Sequence, residues 1–226
     1  MTLITSAIKT KIQQILSVVE TGSIVANYSI IAIYRDGKNS TRQITYGKHQ
    51  VTEQGNLRKL IELYVASANA KHAESFKPYI SKIGTVPLVE DQVFIALLRT
   101  AGQDRVMQRA QDSFFDAQYW RPAENFFRQN GFTLPLSMLT IYDSYIHSGS
   151  VLRLLRAQID EVVPSVGGDE KKWVEAYLRA RNQWLANHQN VILRRTVYRT
   201  GAMLNAIKED NWLLLKNYAV NGHNVR

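Results

Sequence analysis

The chain has no cysteine among its 226 residues. Disulfides and thiolate chemistry are thereby excluded, and the core must hold by packing alone. No stretch approaches eighteen consecutive apolar residues, so no membrane insertion is expected. A secretory signal is also missing, because Lys9 and Lys11 fall inside a helical pattern rather than ahead of an apolar run. A leader removed earlier, another export route, or action in the cytosol would each fit; the expectation is action outside the cytoplasm, in the periplasm or cell wall. The five histidines, at 49, 72, 147, 188 and 223, form no i, i+4 pair and have no carboxylate motif beside them. No metal and no cofactor are expected. His147 precedes Ser148, yet no Gly-x-Ser-x-Gly elbow accompanies them, and the end of a helix is reason enough for a histidine. There is no internal repeat and no low-complexity segment.

What the chain does have is apolar periodicity. With 45% hydrophobic residues it is long enough for one buried core or for two lobes sharing a long helix, and two lobes are favoured. Ile8, Ile12, Ile15, Leu16 and Val19 recur at helical spacing behind a Thr5 or Ser6 cap. Ser29 to Arg35 is mostly β-branched or aromatic, Asp36 to Ser40 is turn chemistry, and Thr41 to Gly47 reads as a returning strand. Further helices are expected at Leu57–Ala70, at Leu88–Ala117 with a break near Gly102 and Val89, Val93, Ile95, Ala96 and Leu97 as apolar positions, and at Pro122–Asn130. Leu134–His147, Gly149–Val162, Asp169–His188 and Val191–Lys208 follow, before a polar tail at Asn221–Arg226.

Two carboxylates stand in different settings. Glu20 ends the first helix at the margin of its apolar stripe, where partial desolvation raises a carboxyl's pKa and suits a general acid. Asp36 sits at the hairpin tip, where a wet, polar position keeps it ionised and able to activate a water that Thr41 is near enough to orient. Hydrolysis of a glycosidic bond needs one carboxyl of each kind. The alternative is that Asp36-Gly37 is only a turn and Glu20 only a solvated helix end. Asp143 lies on an apolar helix face beside Tyr142 and Ile146, where a lone charge is costly, so a cationic partner is implied.

Glu20, Tyr28 through Asp36-Gly37, and Thr41 together resemble the catalytic region of the chitosanases of glycoside hydrolase family 46. The similarity continues through Gln54–Tyr64, Val106–Gln111, Phe115–Ala123, Leu139–Gly149, and Gly167–Glu170 with Trp173, Tyr177-Leu178 and Arg181. No one segment is specific; their shared order over roughly residues 8 to 215 carries the resemblance. It implies a mainly α, α+β lysozyme-like fold: one catalytic domain, 1–226, of two helical lobes, a minor one of about 24–85 with a small β-hairpin or sheet lining a substrate cleft. It implies an inverting endo-hydrolase of β-1,4-linked hexosamine polymers with Glu20 as acid, Asp36 as base and Thr41 holding the water. Tyr28, Arg35 and Asn56 are expected to bind substrate. Arg181 or Arg179 is expected to pair with Asp143 and support the site.

Charge bears on the substrate. The chain carries a net +9, and the hairpin contributes Arg35, Lys38, Arg42 and Lys48. The family's substrate-binding aspartate falls on Asn56, whose amide offers no charge to a sugar ammonium. Glu53, Glu62 and Asp36 leave some negative charge nearby. The expectation is an anionic polysaccharide, bacterial peptidoglycan, cut in muramidase fashion, with chitosan as the alternative. A non-catalytic basic module for cell wall or nucleic acid ranks last: Arg194-Arg195 with Tyr198-Arg199 is its only basic-aromatic cluster, and reads as the solvated side of an amphipathic helix, so no nucleic acid is expected. An immunity or delivery partner is left open.

Overall fold

The structure is a computed structural model describing residues 4–226. They fall into two compact units, Val25–Ala117 and a second formed by the start of the chain to Ile24 together with Gln118–Arg226. The hairpin-bearing unit is thus longer than the stretch 24–85 read from the sequence.

Helix α1 (Ser6–Thr21) begins at Thr5, whose hydroxyl accepts the Ile8 N–H at 3.3 Å, and it buries Ile12, Ile15, Leu16, Val18 and Val19. Each such side chain contributes about 1.5–3 kcal/mol when fully buried, which fixes the helix's rotation and leaves Glu20 at the rim of the buried face.

In the hairpin-bearing unit, β1 (Ile31–Tyr34), β2 (Gln43–Tyr46) and β3 (Val51–Thr52) form an antiparallel sheet in that order, with Ile31 opposite Tyr46 and Tyr34 opposite Gln43. Helix α2 (Leu57–Val65) buries Leu57, Leu60, Ile61 and Tyr64, the i, i+3, i+4, i+7 stripe of a surface helix. It stops short of Ala70, and a separate helix α3 (Ala73–Ile80) follows where no helix was expected. Pro78 concealed it: this proline lies late in the helix, and Phe76, fully buried, anchors the turn before it.

The long helix expected over 88–117 is two helices, α4 (Gln92–Ala101) and α5 (Arg105–Phe115). Asp91 and Asp104 cap them, accepting from Phe94 and Val106 N–H groups at 2.9 and 3.0 Å. The break at Gly102 has a steric cause, since a Cβ there would lie 2.6 Å from both the Tyr28 carbonyl oxygen and Ser29 Cα. The buried face of α4 is Phe94, Ile95, Leu98 and Ala101. Of the apolar positions expected from the sequence, Val89 and Ile95 are buried, whereas Val93 is 71% exposed and Ala96 is exposed, so the expected stripe coincides only in part with the real one. α2 packs on both α3 and α5, which is why this unit continues to Ala117.

A π turn (Asp116–Trp120) leads into α6 (Arg121–Gln129) and α7 (Pro135–Ser148). α7 is buried continuously from Pro135 to Ser144, the mark of a helix at the centre of its unit. The helix expected at 149–162 is a single turn, α8 (Arg153–Arg156). Val162 and Val163 lie just before Pro164, which disfavours helical backbone in the residue ahead of it. α9 (Glu170–Ala186), capped by Asp169, and α10 (Val191–Arg194) precede α11 (Tyr198–Lys208). The expected polar tail is instead a hairpin, β4 (Tyr218–Val220) with β5 (His223–Val225), turning at Asn221-Gly222 with φ of 49° and 74°. That Asn-Gly pair is the strongest short hairpin signal a sequence offers, and it buries Tyr218, Val220 and Val225.

Candidate functional site

The helical unit builds a chain of alternating charges. Arg181 Nη1 donates to Asp143 Oδ2 at 2.5 Å, and Arg199 donates to Asp143 Oδ1 from Nε at 3.0 Å and from Nη2 at 2.7 Å. Arg199 Nη2 also reaches Glu20 Oε1 at 2.5 Å. Asp143 and Arg181 are wholly buried, the Arg199 side chain is 3% exposed, and that of Glu20 is 30% exposed. Burial alone would push the Asp143 carboxyl up. The guanidinium groups of Arg199 and Arg181 outweigh it and hold the carboxyl well below the usual carboxylate range.

Arg179 is not part of this chain: it faces solvent and pairs with Glu175 at 2.6 Å. The helical register decides between the two arginines, because Trp173, Val174, Tyr177, Leu178, Arg181 and Leu185 form the buried face of α9 and Arg179 lies off it. Arg199 was missed altogether, having been read as part of a solvated basic side. A signal for it was present. Arg199, Met203 and Ala206 make an i, i+4, i+7 stripe on α11, so the arginine sits on an apolar face as Asp143 does. Glu20 is partly buried, as expected from its place at the margin of the apolar stripe, and gains a partner the sequence reading did not foresee, the Arg199 guanidinium.

His147, at the end of α7, accepts from the Ser148 hydroxyl at Nδ1 (3.2 Å) and lies 3.1 Å from Thr196 Oγ1 through Nε2. Thr196 spends its proton on the Leu193 carbonyl at 2.7 Å, so Nε2 is the nitrogen that carries hydrogen. Burial, then the charges of Arg199 and Arg181, push the imidazole down to about 4. It is a neutral neighbour of the charged chain.

At the hairpin tip, Asp36 and Thr41 are both exposed. Gly37 N–H donates to the Thr41 carbonyl at 3.0 Å, folding the tip back on itself. The Thr41 hydroxyl donates to the Lys38 carbonyl at 2.8 Å and accepts from Gln54 Nε2 at 3.0 Å. With its one proton committed, that hydroxyl has only an acceptor lone pair left to offer. Asp36 Oδ1 accepts from Gln43 Nε2 at 3.0 Å.

The remaining expected residues are scattered over the same unit. The Tyr28 hydroxyl meets the Asp112 carboxylate at 3.0 and 3.1 Å. Burial, then the Asp112 charge, hold it as a neutral phenol well above the usual range. Arg35 is exposed beside Asp36. Asn56 stands at the start of α2 without a side-chain capping bond. Glu53, counted among the nearby negative charges, is 3% exposed and accepts the Ile44 and Leu88 N–H groups at 3.1 and 2.9 Å. Its charge serves the backbone. Two of the four hairpin cations are matched by carboxylates that the sequence order concealed, Arg42 by Glu90 at 2.6 Å and Lys48 by Asp112 at 3.0 Å.

Comparison with known proteins decides the family. The model of glycosyl hydrolase family 46 matches residues 14–216. The chain belongs to that family. It is a glycoside hydrolase. Among family relatives, the chitosanase of Bacillus subtilis (strain 168) is 23% identical over 222 residues, covering 91% of this chain and 79% of its own length. The native chitosanase of Bacillus subtilis MY002 superposes with a TM-score of 0.82 at 22% identity, over 99% of this chain and 100% of that one. The Gynuella sunshinyii family 46 chitosanase in complex with chitotetraose gives 0.82 at 21% identity, over 98% and 97%. The family 46 chitosanase fold, helical with a small antiparallel sheet, is the fold of this chain.

Proposed function

We propose that this family 46 hydrolase cleaves the β-1,4 bonds of chitosan with inversion, Glu20 protonating the leaving oxygen and Asp36 acting as general base. The observation that carries the reading is the hairpin tip. A water that donates one hydrogen to Asp36 and the other to the acceptor lone pair of Thr41 has its own lone pair turned outward, as a nucleophile needs. Arg199, bonded to Oε1 of Glu20, orients the acid and is itself fixed by Asp143.

Chitosan replaces peptidoglycan as the favoured substrate for an electrostatic reason. The argument for an anionic polymer rested on the net charge, on Asn56 and on four hairpin cations, and Glu90 and Asp112 neutralise two of those cations. Repulsion of a polycation is weakened accordingly. Relatives described as chitosanases, one bound to chitotetraose, support the same substrate class. Tyr28, Arg35 and Asn56 are retained as candidate sugar contacts.

The test follows reducing ends and the anomer first released from chitosan. Wild type should release the α-anomer. Glu20→Gln and Asp36→Asn should each lower kcat by several orders of magnitude while melting close to wild type. Initial release of the β-anomer, or near-normal turnover by either variant, would contradict the assignment.

A further inference from the structure

Gln43 is a polar residue at the tip end of the central strand β2, 4% exposed, at a place where an apolar side chain would be ordinary. Both ends of its amide are engaged. Oε1 accepts the Gln54 backbone N–H at 3.1 Å, and Nε2 donates to Asp36 Oδ1 at 3.0 Å. Gln54 repeats the arrangement: its Oε1 accepts the Lys38 N–H at 2.7 Å and its Nε2 donates to Thr41 Oγ1 at 3.0 Å. In each side chain a backbone N–H demands the oxygen, so the NH2 end is obliged to face the other way. Flipping either amide would set donor against donor. The two glutamines are also joined to each other through the Gln54 N–H, so the tip is gripped by one continuous hydrogen-bonded unit.

We infer that Gln43 and Gln54 are positioning residues of the hydrolytic water, Gln43 orienting the Asp36 carboxylate and Gln54 fixing the polarity of the Thr41 hydroxyl. This rests on the reading of Asp36 as general base. Gln43 supplies a donor to one carboxylate oxygen and leaves the second to take the water's hydrogen. Gln54 supplies a donor to Thr41, which directs the hydroxyl proton to the Lys38 carbonyl and leaves an acceptor for the water. The nearby charges lie elsewhere on the tip or are occupied: Arg35 and Lys38 flank Asp36 along the chain and are exposed, Arg42 is paired with Glu90, and Glu53 holds the Ile44 and Leu88 N–H groups. A donor bonded to the ionised form stabilises it, so loss of Gln43 acts on Asp36 in one direction.

The experiment is a carboxyl 13C NMR titration of Asp36 in wild type, Gln43→Leu and Gln43→Met, run beside pH profiles of kcat and KM on chitosan. Met keeps the length of the side chain and replaces Leu if the Leu variant fails to fold. The Asp36 midpoint should lie higher in the variant than in wild type. The acidic limb of kcat should move up with it, and plateau kcat should fall about tenfold while KM stays as in wild type. Gln54→Leu should lower kcat similarly and leave the Asp36 midpoint in place. An unchanged Asp36 midpoint in the Gln43 variant would overturn the positioning role and leave the base assignment standing. A midpoint that rises while the acidic limb stays put would overturn the base assignment, and the positioning role with it.

Discussion

At the scale of single residues, the two charged constellations share one design: each gives a side chain its role by committing its neighbours. Arg199 bonds Glu20 with the same nitrogen that bonds Asp143, and Thr41 surrenders its proton to Lys38 so that it can only accept. His147 shows the same logic for a proton. Its imidazole is pushed from 6.5 down to about 4 by burial, then by Arg199 and Arg181. Because the folded protein disfavours the charged form, the unfolded chain binds the proton first, and stability must fall with pH between 6.5 and about 4. The loss is on the order of 2–3 kcal/mol. Melting curves across that window should slope downward toward acid, and His147→Gln should flatten the slope. An unchanged slope in that variant would remove His147 as its cause. Of the charged chain, Asp143 was legible as a carboxylate on an apolar helix face in need of a cation, and the resemblance left Arg181 and Arg179 as candidates for it, of which the structure pairs Arg181. Gln43 and Gln54 were not legible, since an amide carries no charge to look conspicuous and its value here lies in partners brought together only by strand pairing.

At the scale of elements, α7, α9 and α11 are tied by the Asp143 ion pairs. A buried carboxylate between two buried guanidinium groups cannot be removed alone. Asp143→Ala leaves Arg181 and Arg199 uncompensated and should cost about 3–5 kcal/mol, seen as a large drop in melting temperature. Arg179→Ala, which removes only an exposed pair on the same helix α9, should change stability by less than about 1 kcal/mol. Equal melting of the two variants would refute the distinction between the buried and solvated faces of α9. The strongly periodic elements, α1, α2 and α9, could be read from sequence because apolar spacing alone rotates them. The break at Gly102 was visible, but its cause, the approach of the Tyr28–Ser29 backbone, is a contact between residues far apart in the chain. α3 was hidden by its own proline. The final hairpin was overlooked although Asn221-Gly222 announces it, because its polar residues drew the eye from Tyr218, Val220 and Val225.

At the scale of the whole molecule, net charge proved the least reliable guide. A total of +9 says how the protein behaves toward distant ions, whereas substrate choice depends on which charges remain unpaired near the site. Glu90 and Asp112 are 48 and 64 residues from the cations they meet, Arg42 and Lys48, so their effect could not be read along the sequence. Family membership, by contrast, was legible end to end, since many weak segments in one order need no three-dimensional information. The central claim is hydrolysis of chitosan in preference to peptidoglycan. Its most direct measurement is the initial rate of reducing-end release from fully deacetylated chitosan and from purified peptidoglycan, side by side at equal sugar concentration, with Glu20→Gln as the blank. Faster wild-type cleavage of chitosan, abolished in the variant, is the result expected here; faster cleavage of peptidoglycan would contradict it.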